Sequence, residues 1–115
     1  MVSAVQAYCP DVYDIIWLEL DPQAGREQAG RRPAFVLSPR RYNQMTRLCV
    51  VCPITSKIKG YPFEVGLPES CAINGVIMSD QIKSVDWATR NAAYATSCPE
   101  VADDVHARLR SLLGL

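Results

Sequence analysis

The first clear pattern along the chain is Asp14-Ile15-Ile16-Trp17-Leu18-Glu19-Leu20, a run of β-branched and aromatic residues that stops at the turn-forming pair Asp21-Pro22. It reads as a first strand. A polar loop, Gln23 to Arg32, leads to a second strand, Pro33 to Ser38, and Ser38-Pro39 is a pair that can cap and open a short helical turn through Arg40 to Met45. Leu48 to Thr55 reads as a third strand; its apolar residues fall on both faces, as expected of a central strand covered on both sides. Beyond the break at Gly60-Tyr61-Pro62, short strands are expected at Phe63 to Leu67 and Gly75 to Ser79. Asp80 to Trp87 has no decisive period, and Arg90 to Thr96 reads as one more strand. Val101, Val105, Leu109 and Leu112 then recur at helical spacing behind the start signals Ser97, Pro99 and Glu100. Short strands, tight turns and a closing helix predict an α+β domain: a small, strongly bent antiparallel sheet, a partly open barrel, with one short helix and a C-terminal helix.

Length and composition narrow the class. At 115 residues the chain suits one domain, 1–115, around one core. Twelve Lys plus Arg balance twelve Asp plus Glu, which argues against the broad basic surface of a non-specific nucleic-acid binder, so any nucleic-acid contact must be local. Arg26, Arg31, Arg32, Arg40, Arg41 and Arg47 do cluster in sequence, a pattern also met in a solvated loop face. No apolar run approaches the roughly 20 residues that span a bilayer, and the N-terminus lacks an export-type pattern, so a cytoplasmic protein without membrane contact is expected. Five cysteines, an odd number, then read as small buried hydrophobes rather than a disulfide framework.

Several motifs lose their appeal on geometry. Cys49-Val50-Val51-Cys52 has C-x-x-C spacing, but residues three apart in a strand point to opposite faces and cannot share a metal ion. His106 is the only histidine, on the predicted C-terminal helix, so a two-histidine ribonuclease mechanism is excluded within one chain. There is no Walker-type phosphate loop, and the acidic residues form no evident metal site, so neither metal nor cofactor is expected.

Arg32 is different. It precedes Pro33, which pushes its backbone toward an extended conformation and restricts where a guanidinium mounted there can go. If the second and third strands pair antiparallel through the connection Pro39 to Arg47, placing Ser38 opposite Cys49 also places Arg32 opposite Thr55. An arginine and a hydroxyl then meet at one end of the sheet, beside the loop carrying Glu27. The competing reading is a surface arginine near a strand-terminal threonine. Trp17, Phe35, Phe63 and Trp87 lie in or beside apolar strands and are expected in the core.

These residues sit in segments that together resemble the MazF (PemK-like) family of mRNA interferases: Asp14-Ile15-Ile16-Trp17, Asp21-Pro22, Gly25-x-Glu27-Gln28-x-Gly30-x-Arg32-Pro33 with Val36-Leu37-Ser38, Pro53-x-Thr55, Lys59-Gly60-Tyr61-Pro62-Phe63-Glu64-Val65, and Asp80-Gln81-x-Lys83-Ser84-x-x-Trp87. The resemblance covers roughly Tyr13 to Trp87. It implies the toxin of a type II toxin–antitoxin system: a homodimer, held by a cognate MazE-like antitoxin, that cuts single-stranded RNA at a short sequence without a metal and leaves 2′,3′-cyclic phosphate and 5′-hydroxyl ends. By position, Arg32 and Thr55 match the family's catalytic arginine and threonine, and Glu27 an acidic residue of its active-site loop. The chain departs from the family at Tyr13, where a glycine is frequent, and Arg31 and Ile54 are variable neighbours of the site.

Those groups suit the chemistry the resemblance implies. When a ribose 2′-hydroxyl attacks its own phosphate, negative charge gathers on the equatorial oxygens, and a fixed guanidinium can hold two of them. Arginine's high pKa makes it a poor general base; Glu27 is the nearby carboxylate that can accept the 2′-proton or orient the nucleotide, and Thr55 can donate a hydrogen bond to the phosphate. Lys59, Gln81, Lys83 and Tyr61 are candidate RNA contacts. The alternative from another class is a non-catalytic, CcdB-like poison of DNA gyrase; the action of such proteins is associated with a C-terminal tryptophan, whereas this chain ends Gly114-Leu115.

Overall fold

The computed structural model describes residues 8–19 and 30–115. Among the described residues there are seven strands, β1 Asp14–Glu19, β2 Arg31–Val36, β3 Leu48–Thr55, β4 Glu64–Gly66, β5 Val76–Met78, β6 Lys83–Asp86 and β7 Ala93–Ser97, with helices α1 Arg40–Thr46 and α2 Ala102–Leu113. They form one antiparallel sheet in the order β4-β5-β3-β2-β1-β7, with β6 also on β3. The sheet does not close.

β3 is its spine. One edge pairs with β2, while the other pairs with β6 from Leu48 to Val51 and with β5 from Ile54 to Thr55. The change of partner falls at Cys52-Pro53, where proline has no N–H to give to a ladder. Two partners along one edge require the sheet to bend there, and both of its faces are covered. Ile15, Phe35, Cys52, Ile54 and Ile77 pack under α2 against Val105 and Leu109, whereas Ile16, Val36, Cys49, Val51 and Trp87 form a second cluster. Cys49 and Cys52 therefore sit in opposite clusters, as strand alternation demands, and all five cysteines are free thiols.

Three expectations need correction. Ser38 does not cap α1: Pro39 holds the N-cap position without a side-chain bond, because the residue before proline stays extended. The Ser38 hydroxyl instead donates to Asn43 Oδ1 at 2.6 Å and accepts from the Val50 N–H at 2.8 Å, fastening the connection to β3. Ser97 likewise caps nothing; it donates to Asp14, whose buried carboxylate also accepts from the Tyr8 hydroxyl and the Asp11 N–H. On α2, Val101, Val105 and Leu109 are buried, but Leu112 is exposed, since the helix runs on past the sheet.

α1 is short but firmly held. Asn43, fully buried, donates to the Pro10 and Ser38 carbonyls at 2.8 and 2.9 Å, and its own carbonyl accepts from Trp87 Nε1 at 3.0 Å. Apolar spacing alone gave no reason to single out this polar residue. The Asp80 to Trp87 segment, ambiguous by period, resolves into a 3-10 turn, Ser79–Gln81, followed by β6. No helix among the described residues is long and apolar enough to cross a membrane.

Candidate functional site

The observed β2–β3 pairs are Ala34↔Pro53, Phe35↔Cys52 and Val36↔Val51. This is the register in which Ser38 faces Cys49 and Arg32 faces Thr55. Arg32, next to the first residue of β2, and Thr55, the last residue of β3, thus emerge at one end of the sheet. Both line a single cavity of about 560 Å³, together with Trp17, Lys57, Ile73 and Asn74.

Two further cavities adjoin it. One of about 310 Å³ is lined by Arg32, Met78, Gln81 and Lys83 among others. Another of about 160 Å³ is lined by Thr55, Lys59, Tyr61 and Gln81 together with Glu64 and Asp80. Arg32 is a wall common to the first and second, Thr55 to the first and third, and Gln81 to the second and third. Six of the seven candidate residues, Arg32, Thr55, Lys59, Tyr61, Gln81 and Lys83, therefore share one continuous surface. The seventh, Glu27, lies outside the described residues.

Local bonding explains how the side chains are presented. Glu64 accepts from the backbone N–H of Lys59 at 3.1 Å and of Gly60 at 2.9 Å, closing the loop that carries Lys59 and the exposed Tyr61. Lys59 Nζ lies 5.8 Å from the Tyr61 ring centroid, a cation–π arrangement. Thr55 Oγ1 accepts from the Lys57 N–H at 3.1 Å, which leaves the hydroxyl proton available to another acceptor. Gly75 lies directly behind it, with φ of +127°, and a Cβ there would stand 2.4 Å from the Thr55 carbonyl oxygen. Only glycine allows that approach.

The arginines that cluster in sequence part company in space. Arg31 and Arg32 stand at the start of β2, whereas Arg40, Arg41 and Arg47 belong to α1 and its C-cap beyond the other end of that strand. Arg40 Nη1 lies 3.6 Å from Asp11 Oδ2, and Arg47 sits over Trp87. Positive charge at the cavities comes instead from Arg32, Lys57, Lys59, Lys83 and Arg90, set against Glu19, Asp80 and Glu64. Among the described residues, no three His, Cys, Asp or Glu side chains are arranged to hold a metal ion.

Of the four aromatics expected inside, Phe35 and Trp87 are buried, while Trp17 and Phe63 are only half-buried. Asp14 to Leu20 does not alternate, so its pattern does not show that Trp17 outruns the core. Lys57, Ile73 and Asn74 carried no signal at all.

A cation and a hydroxyl at the lip of an open, bent sheet, ringed by polar side chains, is an arrangement able to grip a phosphodiester. Comparison with known proteins agrees with it. The family described as "PemK-like, MazF-like toxin of type II toxin-antitoxin system" matches residues 11–113. The chain belongs to this family. It is 45% identical to the endoribonuclease toxin MazF of Escherichia coli strain K12, over 96% of this chain and 99% of that one. To the endoribonuclease PemK of Escherichia coli it is 36% identical, over 85% of this chain and 78% of the other. Among solved structures, MazF in a MazE-MazF crystal from Deinococcus radiodurans superposes with a TM-score of 0.88 at 49% identity, covering 94% and 98% of the two chains. A mycobacterial endoribonuclease, 20% identical with a TM-score of 0.75, shares the fold. The alternative of a gyrase poison is not favoured by these relatives.

Membership also gives the Tyr13 departure a physical reading. Its φ is +69°, the left-handed region where glycine is at ease, and the tyrosine is held there by stacking on Phe35, centroids 5.8 Å apart, and by a 3.4 Å contact from its hydroxyl to His106 Nε2.

Proposed function

We propose that this type II toxin cleaves single-stranded RNA at a short sequence, with Arg32 and Thr55 gripping the scissile phosphate. The observation that supports the reading is their shared cavity at the end of β2 and β3. Family membership makes the chain an endoribonuclease toxin. In the proposed step the 2′-oxygen attacks phosphorus, the 2′-proton goes to a base, and the P–O5′ bond breaks with the 5′-oxygen taking up a proton. A 2′,3′-cyclic phosphate and a 5′-hydroxyl result. DNA, lacking the nucleophile, is not cut.

Arg32 holds two equatorial oxygens as charge develops, and the Thr55 hydroxyl donates to the same phosphate. Glu27 either accepts the 2′-proton or orients the ribose; Glu27→Gln separates these, since only loss of the base removes the acidic limb of the pH–rate profile. Lys59, Tyr61, Gln81 and Lys83 contact the flanking nucleotides. No metal takes part. The chain works as a homodimer in the cytoplasm and is held inactive by a cognate antitoxin, a partner that the Deinococcus MazE-MazF crystals motivate.

The test is to incubate the protein with a long defined RNA in excess chelator, map the cuts and identify the ends. Cyclic phosphate and 5′-hydroxyl ends at one recurring sequence, unaffected by EDTA, are expected. Arg32→Ala should lower the rate by at least about 10²-fold with the fold unchanged, because an exposed guanidinium acts on substrate and not on the core. Wild-type activity in that variant, or inhibition by EDTA reversed by added metal, sinks the proposal.

A further inference from the structure

Trp17 stands in β1 opposite Pro33, while Leu18 stands opposite Arg32. Strand alternation therefore puts Trp17 and Arg32 on opposite faces of the sheet, yet both line the same cavity. That cavity must wrap the sheet's end. On the face shared by Trp17, Pro33 and Ile54 it is closed by Ile73 and Asn74; on the other face Arg32 passes into the second cavity, with Gln81 and Lys83.

We infer that the Trp17 side is a nucleobase subsite beside the scissile phosphate, in which the indole stacks on one of the two bases flanking the cut and the Asn74 amide bonds to its edge. This rests on reading Arg32 and Thr55 as the phosphate-gripping pair. A nucleotide presents a π face, a hydrogen-bonding edge and an anionic phosphate. The wall offers a half-buried indole with apolar Ile73, an exposed amide on Asn74, and the cations of Arg32 and Lys57. Among the described residues nothing accepts from the Trp17 indole N–H, whereas Trp87 donates its own to Asn43. With the phosphate at the sheet's end, the two flanking nucleotides fall to its two faces, one toward Trp17 and Asn74 and the other toward Gln81 and Lys83.

The chain holds two tryptophans, which makes the binding test direct. An RNA spanning the mapped cut, with its attacking ribose 2′-O-methylated so that it binds without being cleaved, should quench intrinsic fluorescence in the wild type and not in Trp17→Phe. Trp17→Ala should lower kcat/KM roughly 5- to 150-fold on normal RNA, the loss of one stacked base. The same variant should match the wild type on one of two RNAs carrying an abasic ribonucleotide on the 5′ or 3′ side of the cut. Asn74→Ala should relax base preference at that same position. Unchanged fluorescence while anisotropy reports binding, or a Trp17→Ala penalty that persists on both abasic RNAs, overturns the subsite. Failure of the phosphate reading is recognised separately, by an Arg32→Ala variant that still cleaves at the wild-type rate.

Discussion

On the proposed reading of Arg32 as the phosphate grip, the choice of arginine over lysine decides what can be held. A guanidinium presents a planar fork to two phosphate oxygens, whereas an ammonium offers a point charge on a flexible stem. Arg32→Lys is accordingly expected to retain RNA binding but to lose at least about tenfold in kcat. Thr55→Val, which keeps the volume and deletes the hydroxyl, should lose on the order of 10²-fold. Single-turnover rates at saturating enzyme measure both; a lysine variant cleaving as fast as the wild type would mean that charge alone suffices. Little of this was hidden from the sequence. Arg32 before Pro33 and Thr55 at the end of an apolar strand are local features, and the observed β2–β3 register is the one in which Ser38 opposite Cys49 sets Arg32 opposite Thr55. Trp17 and Asn74 were illegible for the opposite reason: what surrounds them depends on where the core ends and on the loop Ala72 to Asn74, more than 50 residues along the chain from Trp17.

Among the elements, β5 matters out of proportion to its three residues. It pairs with the end of β3, Thr55 opposite Val76, and Gly75 just before it touches the Thr55 backbone. Gly75→Ala must either move that backbone or give up φ of +127°, at a cost of about 1–3 kcal/mol. A melting temperature lower by roughly 5–15 °C is expected. Cleavage should fall as far as in Thr55→Val even at temperatures where the variant is fully folded, because the hydroxyl is displaced. If folded Gly75→Ala cleaves normally, β5 supports the sheet without positioning the site. The strand expected from Gly75 to Ser79 does contain β5, but neither its partner nor its close approach to Thr55 can be read from five residues. Period likewise failed from Asp80 to Trp87, where a 3-10 turn and a four-residue strand are each too short to show one.

For the whole molecule, the two-sided sheet sets the fate of its thiols. Burial pushes Cys49 and Cys52 up from 9.0 to about 12, and raises Cys9 and Cys98 as well. A raised thiol pKa means less thiolate at neutral pH, hence less reactivity. With DTNB at pH 8 the native protein should show one accessible thiol, the half-buried Cys71, and five after denaturation. Rapid reaction of several thiols in the native state would mean that the clusters open readily. The same shifts carry a pH dependence. Below about pH 9 these thiols are protonated whether folded or not. Between about 9 and 12 only the unfolded chain releases the protons of Cys49 and Cys52, so their contribution to stability is lost across that window.

What the chain's own order of residues determined is six of the seven strands, the closing helix and, once Ser38 is set opposite Cys49, the register that brings Arg32 to Thr55. Alternation, prolines and glycines act over a few neighbours, and a short connection leaves two adjacent strands few ways to pair. The tertiary structure alone decided that α1 hangs on a buried asparagine, that the clustered arginines separate, and that a tryptophan leaves the core to face a cavity. Each of these depends on which distant segments cover a face and which leave it open, a matter of packing between residues far apart along the chain.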